Sequence, residues 1–207
     1  FCNKFCSEED IDLIIPVRSQ TIEIFINHRS LFGNVLVFIP SKVHFDICTN
    51  KNQTVRFSKK LGIRTPRSIY LDKNSDLSFV EISDKLGNPI IAKPDVGSGS
   101  RGIFLLKSSE DYHRFKTNIE FKSHPYLLQE YIPHGEVVGV YGLYKNGSNI
   151  SLNSHLRIRE FPHSGGPSTL RKTIRNDYCE RVSKLLFRKL NYSGVAMVEF
   201  LFHKSIK

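Results

Sequence analysis

The chain has 207 residues, 40% hydrophobic and 24% charged, a composition that excludes a disordered or fibrous polypeptide and allows one full core or two small ones. Thirty Lys and Arg against twenty Asp and Glu leave a formal charge of +10. The basic residues are scattered and form no RNA-recognition, helix-turn-helix or zinc-finger signature, so nucleic acid is disfavoured as the main partner. No apolar run approaches the roughly 18 residues of a membrane span. Four cysteines without a secretory signal read as reduced thiols of a cytoplasmic protein, and Cys2 and Cys6 lack the second pair that a zinc site would need. The start at Phe1 and the stop just after a strand-like run are expected of a fragment of a longer polypeptide.

Asp10 to Pro16 reads as a short buried strand, Ser19 to Asn27 as a helix and Asn34 to Pro40 as a second strand, an order expected of the end of a doubly wound α/β unit. From Asn50 a helix of about three turns closes at Gly62 and passes into the extended Ile63, Arg64, Thr65, Pro66. Ser68 to Leu71 is expected to be a strand and Asp76 to Leu86 a helix. A strand carrying Lys93, a glycine loop, a strand at Ile103, a helix capped at Ser108 and a strand from Tyr126 to Ile132 follow. Val137 to Tyr144 and Ile150 to Ile158 form a hairpin about the Asn146-Gly147 turn. Arg159 to Pro167 reads as a loop, Ser168 or Thr169 as the cap of a helix running to about Leu190, and Gly194 to Phe202 as a buried strand.

The segment from Ile90 to Gly102 is the most informative. An apolar strand delivers one lysine, Lys93, into a loop whose Gly97, Gly99 and Gly102 let backbone N–H groups approach an anion. Two readings are open on these residues alone: a phosphate cradle, or a strand connection whose lysine reaches solvent. The loop is no P-loop, because its lysine precedes the glycines. It is no dinucleotide fingerprint either, because a strand rather than a helix follows it. Strand, loop and returning strand make a hairpin lid.

Four blocks then stand in one order: Asn50 and Lys51 with Gly62 to Pro66; Lys93 and Pro94 with the glycine loop; Gln129, Glu130, Tyr131, Ile132 and Pro133 leading to Glu136; and Val198, Glu199, Phe200. The stretch from about Asp10 to Phe202 resembles the ATP-grasp superfamily, most closely the carboxylate–amine ligases similar to the carbamoyl-phosphate synthase large subunit. The resemblance implies an α/β and α+β fold in which two α+β subdomains clasp ATP behind the tail of a Rossmann-like domain. The expected division is 1–48 for that tail, 49–132 for the nucleotide-binding lid with its leading helix, and 133–207 for an incomplete C-terminal subdomain.

Carried over by position, the resemblance implies that Lys51 and Lys93 hold phosphates and that the hairpin of Gly97, Ser98, Gly99, Ser100 and Gly102 closes on them. It places Glu130 near the adenine amino group, Tyr131 and Ile132 at a hinge along the adenine edge, Glu136 on the ribose hydroxyls, and Glu199 on magnesium, with manganese as an alternative. Arg157, Arg159 and Arg171, with Lys172 and His163 nearby, are the cations expected around a carboxylate substrate or its acyl phosphate. Two departures stand out: Pro133-His134-Gly135-Glu136 shifts the glycine of the family's Pro-Gly-Glu-Glu by one place, and no Glu-x-Asn motif follows Glu199.

The implied activity is ADP-forming phosphoryl transfer from ATP to a small carboxylate, followed by attack of an amine or similar nucleophile. A homodimer is compatible with it. The alternatives are a nucleotide-binding or regulatory domain without turnover and, more remotely, a basic nucleic-acid-binding protein with steep salt dependence.

Overall fold

The computed structural model describes residues 2–97, 99–133, 135–162 and 166–203. In chain order the elements are α1 (Cys2–Glu8), β1 (Leu13–Ile14), α2 (Ser19–Asn27), a 3-10 turn (Arg29–Phe32), β2 (Leu36–Val37), α3 (Lys42–Thr49), α4 (Lys51–Lys60), β3 (Ser68–Leu71), α5 (Phe79–Leu86), β4 (Ile90–Pro94), β5 (Phe104–Leu106), α6 (Ser109–Thr117) and α7 (Ile119–Ser123). They continue with β6 (Tyr126–Glu130), β7 (Glu136–Lys145), β8 (Ser148–Glu160), β9 (Ser168–Ile174), α8 (Asp177–Lys189) and β10 (Gly194–Phe202). Two compact units interleave along the chain: Phe1–Asp46, Val137–Leu156 and Lys172–Phe200 form one, and Ile47–Glu136, Arg157–Arg171 and Leu201–Lys207 the other.

The second unit contains the glycine loop. Its sheet runs β3-β6-β4-β5, antiparallel at every pairing. Strand alternation sends Leu71, Ile90, Ala92, Leu106, Tyr126 and Leu128 to one face, where they join Phe79, Ile82 and Leu86 of α5 and Tyr112 and Phe115 of α6 in one buried cluster. Phe115 packs edge-on to Tyr126 at 4.9 Å between centroids. The helices are well specified locally. Ser78 and Glu81 form a capping box at α5, and Ser108 accepts from Asp111 N at α6.

In the first unit β1 and β2 pair in parallel, and Phe32, Val37 and Ile39 gather Ile14, Ile22, Phe25 and Ile26. β7 and β8 form the expected hairpin, turning at Asn146 and Gly147, both at positive φ. Tyr144 lies 4.4 Å from Phe187 of α8 between ring centroids, and its hydroxyl shares a 3.0 Å hydrogen bond with Ser183. The other sheet has the order β10-β7-β8-β9.

Five expectations need correction. The first and second strands each have two paired residues rather than seven, and Leu13 is exposed. Arg159 lies in β8, which runs on to Glu160, and not in a loop. Ser168 and Thr169 begin strand β9; the long helix starts at Asp177, capped by Asn176, whose side chain accepts from Cys179 N. Ser and Thr serve equally as caps and as strand residues, so residue type alone could not separate the two. β10 is not buried: Val195 and Met197 are exposed on one face. Helices α1, α3 and α7 were not anticipated. Among the described residues no helix is long and apolar enough to cross a membrane.

Candidate functional site

Lys93 owes its position to the alternation of β4. Because Ile90 and Ala92 are fully buried in the core, Lys93 emerges on the opposite face of the sheet. There its Nζ donates to Gln129 Oε1 at 2.9 Å, and Gln129 Nε2 donates to Ser68 Oγ at 3.0 Å. A polar line thus crosses β4, β6 and β3. Burial holds the Lys93 ammonium below its ordinary pKa, since removal from water disfavours the charged form.

Lys51 arrives at the same corner from α4. Its Nζ donates to the carbonyls of Pro94 at 2.8 Å and Gly97 at 3.0 Å. Its pKa is lowered, chiefly by burial; Asp95 acts against that shift and Lys93 adds to it. Asp95, buried at 6% exposure, accepts from Asn50 Nδ2 at 2.6 Å and from Asn52 N at 2.9 Å. The structure therefore brings together the two lysines singled out in the sequence.

Beyond Asp95 the chain enters the loop. Gly97 and Gly99 have φ of 141° and 68°, and Ser100 and Gly102 have φ of 60° and 68°. Positive φ is the backbone that glycine adopts without penalty, and such turns are the kind from which anion concavities are built. Ser98, His134 and His163 lie outside the described residues.

Glu130 is tied to Arg67. Both carboxylate oxygens accept from Arg67, Oε1 from its backbone N at 2.8 Å and Oε2 from Nε at 2.6 Å. Arg67 also donates to the carbonyls of Lys85 and Leu86 at the end of α5, where a cation suits the helix dipole. Burial pushes the Glu130 carboxyl up, but the two Arg67 hydrogen bonds and the charges of Arg67 and Arg64 together bring it below its ordinary value. The side chain is thus engaged within the fold at the end of β6. Tyr131 is exposed, and Ile132 and Glu136 are half-buried. At the shifted glycine, a Cβ on Gly135 would meet the exposed side chain of Leu201, 2.4 Å from Cδ1 and 2.5 Å from Cγ.

The three arginines lie on neighbouring strands β8 and β9. Arg157 is half-buried and pairs with Glu160 at 2.8 Å, Arg159 Nε donates to Thr169 Oγ1 at 3.3 Å, and Arg171 is exposed. Glu199 stands on the exposed face of β10, not within a buried one. Among the described residues no group of three or more His, Cys, Asp or Glu gathers to hold a metal ion. Sequence reasoning passes over Asp95 and Arg67. The available signal at Asp95 is a contradiction, an acid inside a loop suited to anions.

With this geometry in view, residues 48–206 match the family model described as an ATP-grasp domain. The chain belongs to the ATP-grasp family. Among curated proteins it is 34% identical over 92 residues to the D-alanine–D-alanine ligase of Bacillus anthracis, covering 44% of this chain and 30% of that protein. It is 27% identical over 187 residues to the α-aminoadipate–LysW ligase LysX of Saccharolobus solfataricus, covering 78% of this chain and 63% of that one. The ATP-grasp chain described here thus spans under a third of the first relative's length.

Solved structures share the fold. The B. anthracis D-alanine–D-alanine ligase complexed with ATP superposes with a TM-score of 0.71 at 22% identity, covering 99% of this chain and 68% of that one. The Coxiella burnetii D-alanine–D-alanine ligase gives 0.73 at 15% identity, covering 95% and 56%. The mixed α and β architecture is that of ATP-grasp enzymes.

Proposed function

We propose that this chain carries the nucleotide grip of an ATP- and magnesium-dependent, ADP-forming ligase that activates a small carboxylate for attack by an amine or similar nucleophile. The observation that carries the proposal is the convergence of Lys51 and Lys93 at the mouth of the left-handed glycine loop. Two desolvated ammonium groups beside a glycine-rich loop suit a polyanion, and a phosphate oxygen is a stronger acceptor than the carbonyls and amide they now engage. The curated relatives are ligases, which supports the same reading.

In this reading Lys51, Lys93 and the loop hold the phosphates, and the backbone of Tyr131 and Ile132 meets the base. Glu136 accepts from the ribose, while Glu130 contributes by fixing the hinge. Arg157, Arg159 and Arg171 face the carboxylate. Magnesium would neutralise phosphate charge. It is commonly held by one or two carboxylates with phosphates completing the shell, and Glu199 fits as one such ligand. An acceptor carboxylate oxygen attacks the γ-phosphorus and the bond to the bridging oxygen breaks, releasing ADP. The amine then attacks the acyl carbon, phosphate leaves, and the amine's proton passes to solvent. Such chemistry belongs where ATP is supplied, in the cytoplasm.

The test is ADP release by the full-length protein, screened over amino acids and other small carboxylates with and without amines, alongside magnesium-ATP binding. Lys93→Ala is expected to weaken ATP binding by roughly ten- to a hundredfold, the scale of a lost hydrogen bond to a charged group. Unchanged binding and turnover in Lys93→Ala would overturn the assignment, and binding without ADP release under any acceptor would leave a non-catalytic module.

A further inference from the structure

An aspartate within a phosphate-holding corner is electrostatically misplaced, because it repels the ligand the site attracts. Asp95 is nevertheless buried, and both of its oxygens have donors. Oδ2 accepts from Asn50 Nδ2 at 2.6 Å and Oδ1 from Asn52 N at 2.9 Å. Its backbone is equally engaged: the carbonyl accepts from Lys51 N at 2.8 Å and its N–H donates to Pro125 O at 3.0 Å, while Asn50 and Val96 form an isolated bridge. Three successive residues at the start of α4 are therefore tied to one residue of the loop, and the middle one is Lys51.

We propose that Asp95 is the positioning residue of the nucleotide site, a latch that sets the Lys51 ammonium and the first turn of the glycine loop against each other before any ligand arrives. The latch rests on the ATP reading above and adds to it how the grip is pre-organised. Its logic is directional. Asn50 uses its amide from both ends, Nδ2 donating to Asp95 while Oδ1 caps Gln53 N at 2.8 Å. Turning that amide over would lose the cap, so position 95 must offer two acceptors. The carboxylate also partly offsets the repulsion between Lys51 and Lys93 while the site is empty.

This logic makes a reciprocal exchange the decisive experiment. Asp95→Asn sets one amide nitrogen against another and breaks a bond; Asn50→Asp sets two carboxylates face to face. The double variant Asn50→Asp/Asp95→Asn restores the pattern at the same total charge, with Asp at 50 accepting from the new Asn and from Gln53 N, and the new Asn still accepting from Asn52 N. Magnesium-ATP affinity of the full-length protein is measured by calorimetry, and the relative acylation rate of Lys51 by mass spectrometry on the ligand-free protein, with circular dichroism to confirm folding.

Each single variant is expected to lose about tenfold or more in ATP affinity, and the double to recover to within about threefold of the parent. Lys51 should acylate faster in Asp95→Asn, because a neighbouring negative charge no longer favours its protonated form. An Asp95→Asn protein with parental affinity and parental Lys51 reactivity, or a double variant no better than the singles, would overturn the latch. A parent that does not bind magnesium-ATP while its Lys51 reactivity responds to the exchange would overturn the nucleotide reading and leave the latch standing.

Discussion

Two groups of cations lie in the same compact unit and are held in opposite ways. Lys51 and Lys93 are half-buried, with each ammonium fixed on protein acceptors and each pKa lowered by loss of water. Arg159 and Arg171 are exposed on adjacent strands, where a long guanidinium side chain can be re-aimed at little cost. Burying an ammonium disfavours the free protein, yet a fixed and dehydrated charge needs no reorganisation when phosphate arrives. In the proposed function this contrast suits the corner to one invariant group, a polyphosphate, and the strands to an acceptor that differs between enzymes.

The largest effect should come from reversing the charge at the corner. Lys93→Glu places a carboxylate beside Asp95 and the loop, and ATP affinity should fall by more than about a hundredfold, since a lost charge-assisted hydrogen bond is joined by like-charge repulsion. Nucleotide titration calorimetry measures it. A loss below about tenfold would erase the distinction between the two groups.

That distinction was partly legible in the sequence. Lys93 and the positive-φ glycines were readable because a charge within an apolar strand and a glycine cluster are both costly unless needed, whereas Lys51, on a polar helix, was reached only through the resemblance. The four strands of the lid were readable because they alternate cleanly about a single core. The role of Asp95 was not, because it depends on a contact across 45 residues to Asn50. Glu130 shows the same limit. The resemblance implies a place near a nucleotide base, but its capture by Arg67, 63 residues away, follows only from the antiparallel pairing of β3 with β6. Ser168 and Thr169 misled because a capping residue at a helix start and a polar residue in a strand look alike until the neighbouring strand is known.

A smaller and differently shaped effect is expected at the strands. Arg159→Ala and Arg171→Ala should leave ATP affinity within about threefold and unfolding free energy within about 0.5 kcal/mol, as for exposed side chains generally. ADP release with the productive acceptor should fall by about tenfold or more, through lost positioning of the carboxylate. Steady-state kinetics with ATP saturating and acceptor varied separate these outcomes. Equal losses in ATP affinity and in turnover would place these arginines in the nucleotide grip instead.

The smallest effect is one of pH, and it works in two directions. Lys51 and Lys93 have pKa values lowered from 10.5 by burial, so in the free protein they lose their protons before ordinary lysines do. ATP affinity should therefore decline as pH rises toward 10.5. Folding stability should respond oppositely. Between the lowered values and 10.5 the unfolded chain binds more protons than the folded one, so the contribution of these two groups to stability increases as pH rises through that window. In Lys93→Met both slopes should become shallower, leaving the part due to Lys51, whereas Arg159→Ala should alter neither, because a guanidinium stays charged throughout. Calorimetric ATP titrations and urea unfolding over the same pH series read both slopes. A parent protein whose ATP affinity stays flat across that window while its stability rises would mean that the two ammonium groups do not hold the ligand.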